Sequence, residues 1–600
     1  MGVGKKFMSN TIVVEPALDI ARTILAGFGK HYRIFRDASI RARSLFENQQ
    51  WAELKKNNRE RIDFYNLRVL ETVEYLTSEF PDILNEALWP QIKIEYISLL
   101  YQHRQPELAE TFFNSVAAKV LKRRYYNNQH TFTSPAVAAE HIEGKQATYR
   151  CYYPLVSGLE SCLRQALTDF EFGVPFSHLD VCVANLGEAI RKWLPDVQQL
   201  GPNFHIQVLV SPFYWSTSAY VVGRVVHGHV RSLFMIPLKH SKKSPGNGSS
   251  GLYADAFIHE PDDLANLMSV SHAYFMVDME VPSSWISFIS AALPDKPKSE
   301  LYTAVGLQRQ GKILFVRDLR QHLKHSADHF VVAPGTPGMV MLVFTMPSFP
   351  FVFKVIRDSF DPPKDTTVEE VKQKYRLIKL HDRVGRLADT LEYFDLDFPI
   401  DRVAPSLVER MKQLIPSNVE IDGGHLVIRH AYVEQRLTPL NLYLAGGDAK
   451  RLKHGAQEYG NALRDLARAN IFPGDLLLKN FGVSPYGRVV FYDYDEVCLL
   501  TDCNFRAIPE AVNLEDETRS EPWYGVGAND VFPEEFAKFL FNDHDFVRQF
   551  FEKQHADLLK PSFWIETQKK IRQGEEMEFA LFPKSRRFPN RMLAHPSLVR

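Results

Sequence analysis

The sequence predicts an α+β fold in two parts: a mostly helical domain with some strands over residues 1–325, and a two-lobed domain over 326–600. Three observations carry that prediction. Before residue 125, long mixed-charge stretches place an apolar residue every three or four positions, the helical period. Near 325–335 the character changes, and apolar β-rich runs begin to alternate with Gly- and Pro-bearing turns. Helical spacing then returns at 459–470 and runs into a second hairpin pattern at 471–496. Six hundred residues exceed what one core can organise, and 45% hydrophobic with 24% charged residues is the composition of a soluble globular chain.

Pro16 suits a first helical turn, and Ala17, Ile20, Ile24 and Phe28 then form one apolar face. In the stretch Trp51 to Leu76, the residues Leu54, Ile62, Tyr65, Val69 and Val73 form the inward stripe. Runs 204–209, 220–226 and 232–238 are rich in β-branched or aromatic residues and read as strands. KHSKKSPGNGSSG (239–251) reads as an exposed loop between two strands. His227 and His229 would share a strand face, but no third ligand stands at a recognisable spacing, which favours a structural role. No catalytic motif emerges from this half. Its expected use is regulation or partner docking.

Charge and cysteine content exclude several classes. Lys and Arg total 71 against 72 Asp and Glu, so a net charge of −1 gives no argument for nucleic acid or an anionic membrane. The five cysteines (Cys151, Cys162, Cys182, Cys498, Cys503) include no CxxC pair and read as reduced thiols. None opens a Cys-x5-Arg phosphatase loop. The opening MGVGKKFMSN has no apolar core of a signal peptide, and no apolar run approaches the ~18 residues of a membrane span. A cytoplasmic location is expected.

The second half divides into a strand-rich lobe over about 326–433 and a helical lobe over about 434–600. Phe330-Val331-Val332, the turn Ala333-Pro334-Gly335-Thr336-Pro337-Gly338-Met339 and the run from Val340 to Phe344 make a hairpin. Glycines at such a tip let backbone N–H groups approach phosphates. Lys354 follows 16 residues after Gly338, mid-strand among apolar neighbours, where a cation needs an anionic partner. Thr367-Val368-Glu369-Glu370 has the form of a capping box, and Val368, Val371, Tyr375 and Ile378 mark the buried side of its helix. Either Glu369 or Glu370 could be the acid that meets Lys354.

Asp389 closes a polar run (381–389) and, on chemistry alone, reads as a surface acid. Val427–Arg429 and Tyr432-Val433-Glu434 read as strands leading to an extended hinge, which places Glu434 with the ATP-binding residues. Asp475, Asn480 five residues later, and Asp493 after a Ser484–Gly487 turn repeat the layout of a kinase catalytic loop and metal-binding segment. In that layout one Asp orients a hydroxyl nucleophile and accepts its proton, while the Asn and the second Asp hold Mg²⁺. A hairpin with surface acids is the plainer reading of that stretch alone. The order of hairpin, lysine strand, helix, hinge, helix, acid-amide loop and metal acid favours a bilobal protein-kinase-like domain.

The segments APGTPGMVMLVFTMP (333–347), VFKVIRD (352–358), HDRVGRLADT (381–390), YGNALRDLARANIFPGDLLLKNFGV (459–483), GRVVFYDYDE (487–496) and SEPWYGV (520–526) carry a closer resemblance. AETFFNSV (109–116) and SHAYFMV (271–277) extend it more weakly through the first half. On these residues the chain resembles the isocitrate dehydrogenase kinase/phosphatase family of bacteria. The resemblance implies an ATP-dependent protein serine kinase and phosphoprotein phosphatase. Such an enzyme inactivates and reactivates isocitrate dehydrogenase, and so controls flux between the tricarboxylic acid cycle and the glyoxylate bypass.

It further implies that residues 333–339 cover the ATP phosphates and Lys354 binds them. Asp475 would be the base, Asn480 and Asp493 the Mg²⁺ ligands, Asp389 an active-site residue, and Asp495 important for dephosphorylation, where ADP can replace ATP. AMP is the implied effector, bound near the junction of the domains, and 503–544 is the implied loop that grips the dehydrogenase. A homodimer is admitted; neither nucleic acid nor membrane is expected. Phe472-Pro473-Gly474 replaces the usual His-Arg before the base, and Asp493-Tyr494-Asp495 replaces Asp-Phe-Gly. The alternative reading is a kinase-shaped nucleotide-binding regulatory protein without phosphoryl transfer.

Overall fold

The computed structural model describes residues 14–122, 129–139, 142–145, 147–195, 201, 203–241, 251–269, 274–335, 338–362, 364–381, 384–509, 524–541, 544–575 and 581–589. Thr336, Pro337, the loop interior 242–250 and residues 510–523 of the expected docking loop therefore lie outside the described residues. The chain forms two compact units. One comprises the residues to Met268, Tyr274–His325 and the stretch from Pro583; the other comprises Ser269 and Ser326–Phe582.

In the first unit the helix Val14–Glu47 buries Ala17, Ile20, Ile24 and Phe28, as their spacing predicts. The next helix, Trp51–Glu79, departs from its predicted stripe. Leu54 and Val69 are buried, but Ile62, Tyr65 and Val73 are only partly covered, and Asn57, Arg61 and Thr72 face the core. Arg61 tolerates this because its guanidinium donates to Phe275 O (3.2 Å), Ser39 Oγ (3.4 Å) and Asn58 Oδ1 (3.0 Å). An antiparallel sheet follows, built from β1 (Tyr149–Tyr152), β2 (His205–Leu209), β3 (Phe213–Trp215), β4 (Ser218–His227), β5 (Val230–His240) and β6 (Leu252–Ala254). Its order is β1-β2-β4-β5-β6, with β3 on β4. His227 ends β4 and His229 lies in the following turn; both are exposed, so they share no strand face. Residues 583–589 return to this unit, where Phe588 N donates to Asp255 O (2.9 Å) and Arg586 pairs with Asp263 (2.8 Å).

The second unit opens with an antiparallel sheet of β7 (Val331–Val332), β8 (Met341–Thr345), β9 (Phe351–Ile356), β10 (Thr390–Pro399), β11 (Val419–Asp422) and β12 (His425–Gln435). The order is β10-β12-β9-β8-β7, with β11 also on β12. Alternation along a strand sorts the two faces. Phe344, Phe353 and Phe398 pack with Phe330 on one side, with ring centroids 4.8–6.1 Å apart. Lys354, the next residue after Phe353, therefore points to the other.

The helix Val368–His381 begins with the capping box its sequence predicts: Thr367 N donates to Glu370 Oε2 (2.8 Å), and Glu370 N donates to Thr367 Oγ1 (3.2 Å). Val371 and Ile378 are buried, and Tyr375 stacks on Tyr432 at 4.1 Å.

Beyond β13 (Thr438–Pro439) the unit is mainly helical, around the helix Ala449–Arg468 that buries Tyr459, Leu463, Leu466 and Ala467. β14 (Ile471–Phe472) pairs with β17 (Cys498–Leu499), and β15 (Phe481–Val483) pairs with β16 (Val489–Phe491) across the Ser484–Gly487 turn. The whole is the α+β architecture predicted. No helix among the described residues is long and apolar enough to cross a membrane.

Candidate active site

Lys354 sits on β9 opposite Tyr432 of β12, which puts Glu434 on the same face two residues further along. That diagonal is within reach of long side chains. Lys354 Nζ lies 2.6 Å from Glu434 Oε2 and donates to the Tyr492 carbonyl at 2.9 Å, 4.9 Å above the Tyr492 ring. Both side chains are buried, at 8% and 2% exposure, so neither charge could persist there without the other. Thr390 Oγ1 also donates to Glu434 (2.8 Å). Glu434 lies in a strand, as its sequence predicts, and β12 continues to Gln435. The acid expected from the helix Val368–His381 comes from this strand. Glu370 is occupied by its own cap, and Glu369 is 71% exposed beside Lys372.

Asp475 follows β14 through Gly474, whose φ is +77° and whose missing Cβ would lie 2.2 Å from Glu496 O. Only glycine fits that approach. Asp475 Oδ1 accepts from Leu477 N (2.9 Å), which tucks the catalytic-loop candidate into a tight turn. Asn480 is buried; its amide donates to Asp475 O (3.4 Å) and its carbonyl accepts from Tyr492 N (3.1 Å). Asn480 thus ties the Asp475 loop to the segment that carries Asp493, through its side-chain amide on one side and its backbone carbonyl on the other. Asp493 faces Asp495 closely enough to share a hydrogen bond. Burial, then the neighbouring Asp495 charge, pushes the Asp493 carboxyl up to about 7, against the pull of Lys354.

Amide and carboxylate oxygens are the hard ligands that Mg²⁺ takes, so Asn480 and Asp493 are of a type that could hold it. Among the described residues no group of three or more His, Cys, Asp or Glu side chains could hold a metal by itself. Ions of this kind typically complete their shell with phosphate oxygens and water.

Ala388 N donates to Phe491 O (2.9 Å) and Thr390 bonds Glu434, so Asp389 lies between two groups that border the site. The β7–β8 hairpin carries Ala333, Pro334, Gly335, Gly338 and Met339 at its tip. Ala333 N donates to Val343 O (3.0 Å), and Gly335 has a φ of +119° with open space where a Cβ would stand. The described flanks of the 503–544 segment are stitched by Arg506 to Asp530 and by Ile508 N to Glu534 (2.8 Å).

The contacts of three cations, Lys364, Lys374 and Arg386, escaped sequence reasoning. Lys364 Nζ lies 2.7 Å from Asp495 Oδ2 and 2.5 Å from Glu496 Oε1, and Lys374 donates to the Asp495 carbonyl. Arg386 is buried, bonding Glu458 (2.7 Å), Asp465 (2.9 Å) and Val489 O (3.1 Å). A polar residue followed by a distant acid has no spacing that would betray any of them.

The family model for the kinase domain of isocitrate dehydrogenase kinase/phosphatase (AceK) matches residues 328–584, and that for its regulatory domain matches 21–327. The chain is 49% identical over 575 residues to the isocitrate dehydrogenase kinase/phosphatase of Paraburkholderia xenovorans (strain LB400), covering 95% of this chain and 93% of the relative. It is 48% identical over 576 residues to proteins of the same name from Burkholderia mallei (strain SAVP1) and Burkholderia pseudomallei (strain K96243), covering 95% of this chain and 94% of each.

Proposed function

The chain belongs to the isocitrate dehydrogenase kinase/phosphatase family, and on that premise we propose that it phosphorylates and dephosphorylates isocitrate dehydrogenase at one ATP-binding cleft. It is a protein kinase and phosphoprotein phosphatase that sets flux between the tricarboxylic acid cycle and the glyoxylate bypass. The observation that carries the single-cleft reading is Lys354 bonded to the carbonyl of Tyr492, one residue before Asp493, while Asn480 bonds the same residue's N–H and the Asp475 carbonyl. A cation for phosphate, an acid for the nucleophile and donors for a metal thus belong to one hydrogen-bonded unit.

In this reading the hairpin tip 333–339 covers the phosphates and Lys354 binds them. Asp475 orients the substrate serine hydroxyl and takes its proton. Asn480 and Asp493 would hold Mg²⁺, which supplies neutralising charge at the triphosphate. Asp389 borders the nucleotide, and Asp495 directs water onto the phosphoprotein in the reverse reaction, with ADP or ATP bound. A regulator that merely bound nucleotide would need neither the Asp475 turn nor its tether to Asn480. The 503–544 segment is the docking loop for the dehydrogenase. AMP as effector and a homodimeric assembly follow from the family resemblance. The near-neutral charge and few cysteines support a cytoplasmic protein without nucleic-acid or membrane partners.

The test is incubation of the purified chain with labelled ATP, Mg²⁺ and isocitrate dehydrogenase. Label should enter the dehydrogenase and leave it again when nucleotide conditions favour release. Asp475→Ala should lower transfer by about 10²–10⁴-fold with ATP binding retained. Undiminished transfer by that variant would show the base to lie elsewhere.

A further inference from the structure

The strand lysine takes its acid from its own sheet, so a different linkage connects the helix Val368–His381 to the metal-binding segment. Two cations supply it. Lys364, four residues before the helix, places Nζ 2.7 Å from Asp495 Oδ2 and 2.5 Å from Glu496 Oε1. Lys374, on the helix, donates to the backbone carbonyl of Asp495. Lys364 and Asp495 are largely enclosed, at 18% and 13% exposure, whereas Glu496 is 46% exposed. Asp495 therefore stands between a like charge, Asp493, and an ammonium group. An aspartate in that position would turn away from its neighbour unless something held it. The lysine is where a holding group is required.

We propose that Lys364 is a positioning residue that fixes the direction of the Asp495 carboxylate, with Lys374 anchoring the same residue's backbone. The inference rests on the reading of Asp495 as the group that directs water in dephosphorylation. Lys364 touches no reacting atom; it acts through Asp495. Glu496 serves as the outer half of the clamp, keeping the ammonium in place from the solvent side.

The experiment measures dephosphorylation and phosphorylation of isocitrate dehydrogenase by the full chain carrying K364Q, K364R, D495N or K364Q/D495N, with a thermal melt of each. K364Q should lower kcat for dephosphorylation by about 10–100-fold, the usual effect of losing a group that orients a site residue, with KM for the phosphoprotein unchanged. Phosphorylation should fall by less. K364R, which keeps a cation there, should restore most of the lost kcat. Adding K364Q to D495N should cost nothing further, because the group it positions is already disabled. Should K364Q melt early, K364M makes the same comparison with the lysine stem preserved. Equal losses of both activities, or a full additional loss in the D495N background, would overturn the inference. If D495N cripples dephosphorylation and K364Q does not, Lys364 alone is misassigned. If D495N leaves dephosphorylation intact, the reading of Asp495 fails and this inference fails with it.

Discussion

Lys354 and Glu434 are enclosed together, and each makes the other tolerable. Removing the carboxylate leaves a buried cation unpaired, which typically costs about 3–5 kcal/mol. Glu434→Gln should therefore unfold in less denaturant than the parent, and saturating ATP should narrow the gap, because phosphate offers Lys354 a new anion. A gap unchanged by ATP would mean that Lys354 never meets the triphosphate. Asp495 carries a second prediction at this scale. Asp495→Ala should cripple dephosphorylation far more than phosphorylation, and parallel losses in the two assays would refute the division of labour. The lysine was legible in the sequence as a charge in an apolar run. Its partner was not, because the pairing depends on how β9 and β12 register, and the nearby candidate Glu370 is used up by the helix cap.

At the scale of elements, the tightest constraint is the turn before Asp475. Gly474 combines a φ of +77° with backbone contact to Glu496, so any side chain strains the turn and pushes the two segments apart. Displacement of a catalytic group by about 1 Å can cost about 10²-fold. Gly474→Ala should thus lower kinase turnover on that scale while ATP affinity changes little; parental turnover would show that the loop tolerates the shift. Elements with local causes were readable in advance: the Thr367–Glu370 cap, the stripe of the helix Ala449–Arg468 and the Ser484–Gly487 turn. The helix Trp51–Glu79 was misread in part. Arg61 and Asn57 face the core by virtue of hydrogen bonds to distant residues, and an apolar-stripe argument excludes polar residues by construction.

At the scale of the molecule, Arg386 joins the segment before Asp389 to the helix Ala449–Arg468 through Glu458 and Asp465. Burial alone would raise the Glu458 carboxyl, but the Arg386 guanidinium overrides it and holds the group at about 2, below its ordinary 4.5. A depressed carboxylate contributes stability that is fully present above the ordinary value and is lost as pH falls through the lowered one. Because Glu458 keeps 21% of its side chain exposed, the contribution is discounted to about 2 kcal/mol at neutral pH. Glu458→Gln should be less stable than the parent at pH 7, with the difference shrinking between pH 5 and about 2. A difference independent of pH in urea melts would show that the ion pair is not its source.

The sequence by itself determined the α+β class, the long helices of the first half and the order of hairpin, lysine strand, helix and acid-amide loop. Each of these follows from periodicity, capping or turn chemistry within a few residues of chain. Only the tertiary structure decided which acid meets Lys354, which cations hold Asp495 and why Gly474 must be glycine. Those contacts join residues 22 to 131 positions apart, and their existence depends on strand register and backbone approach, which no local pattern of side chains encodes.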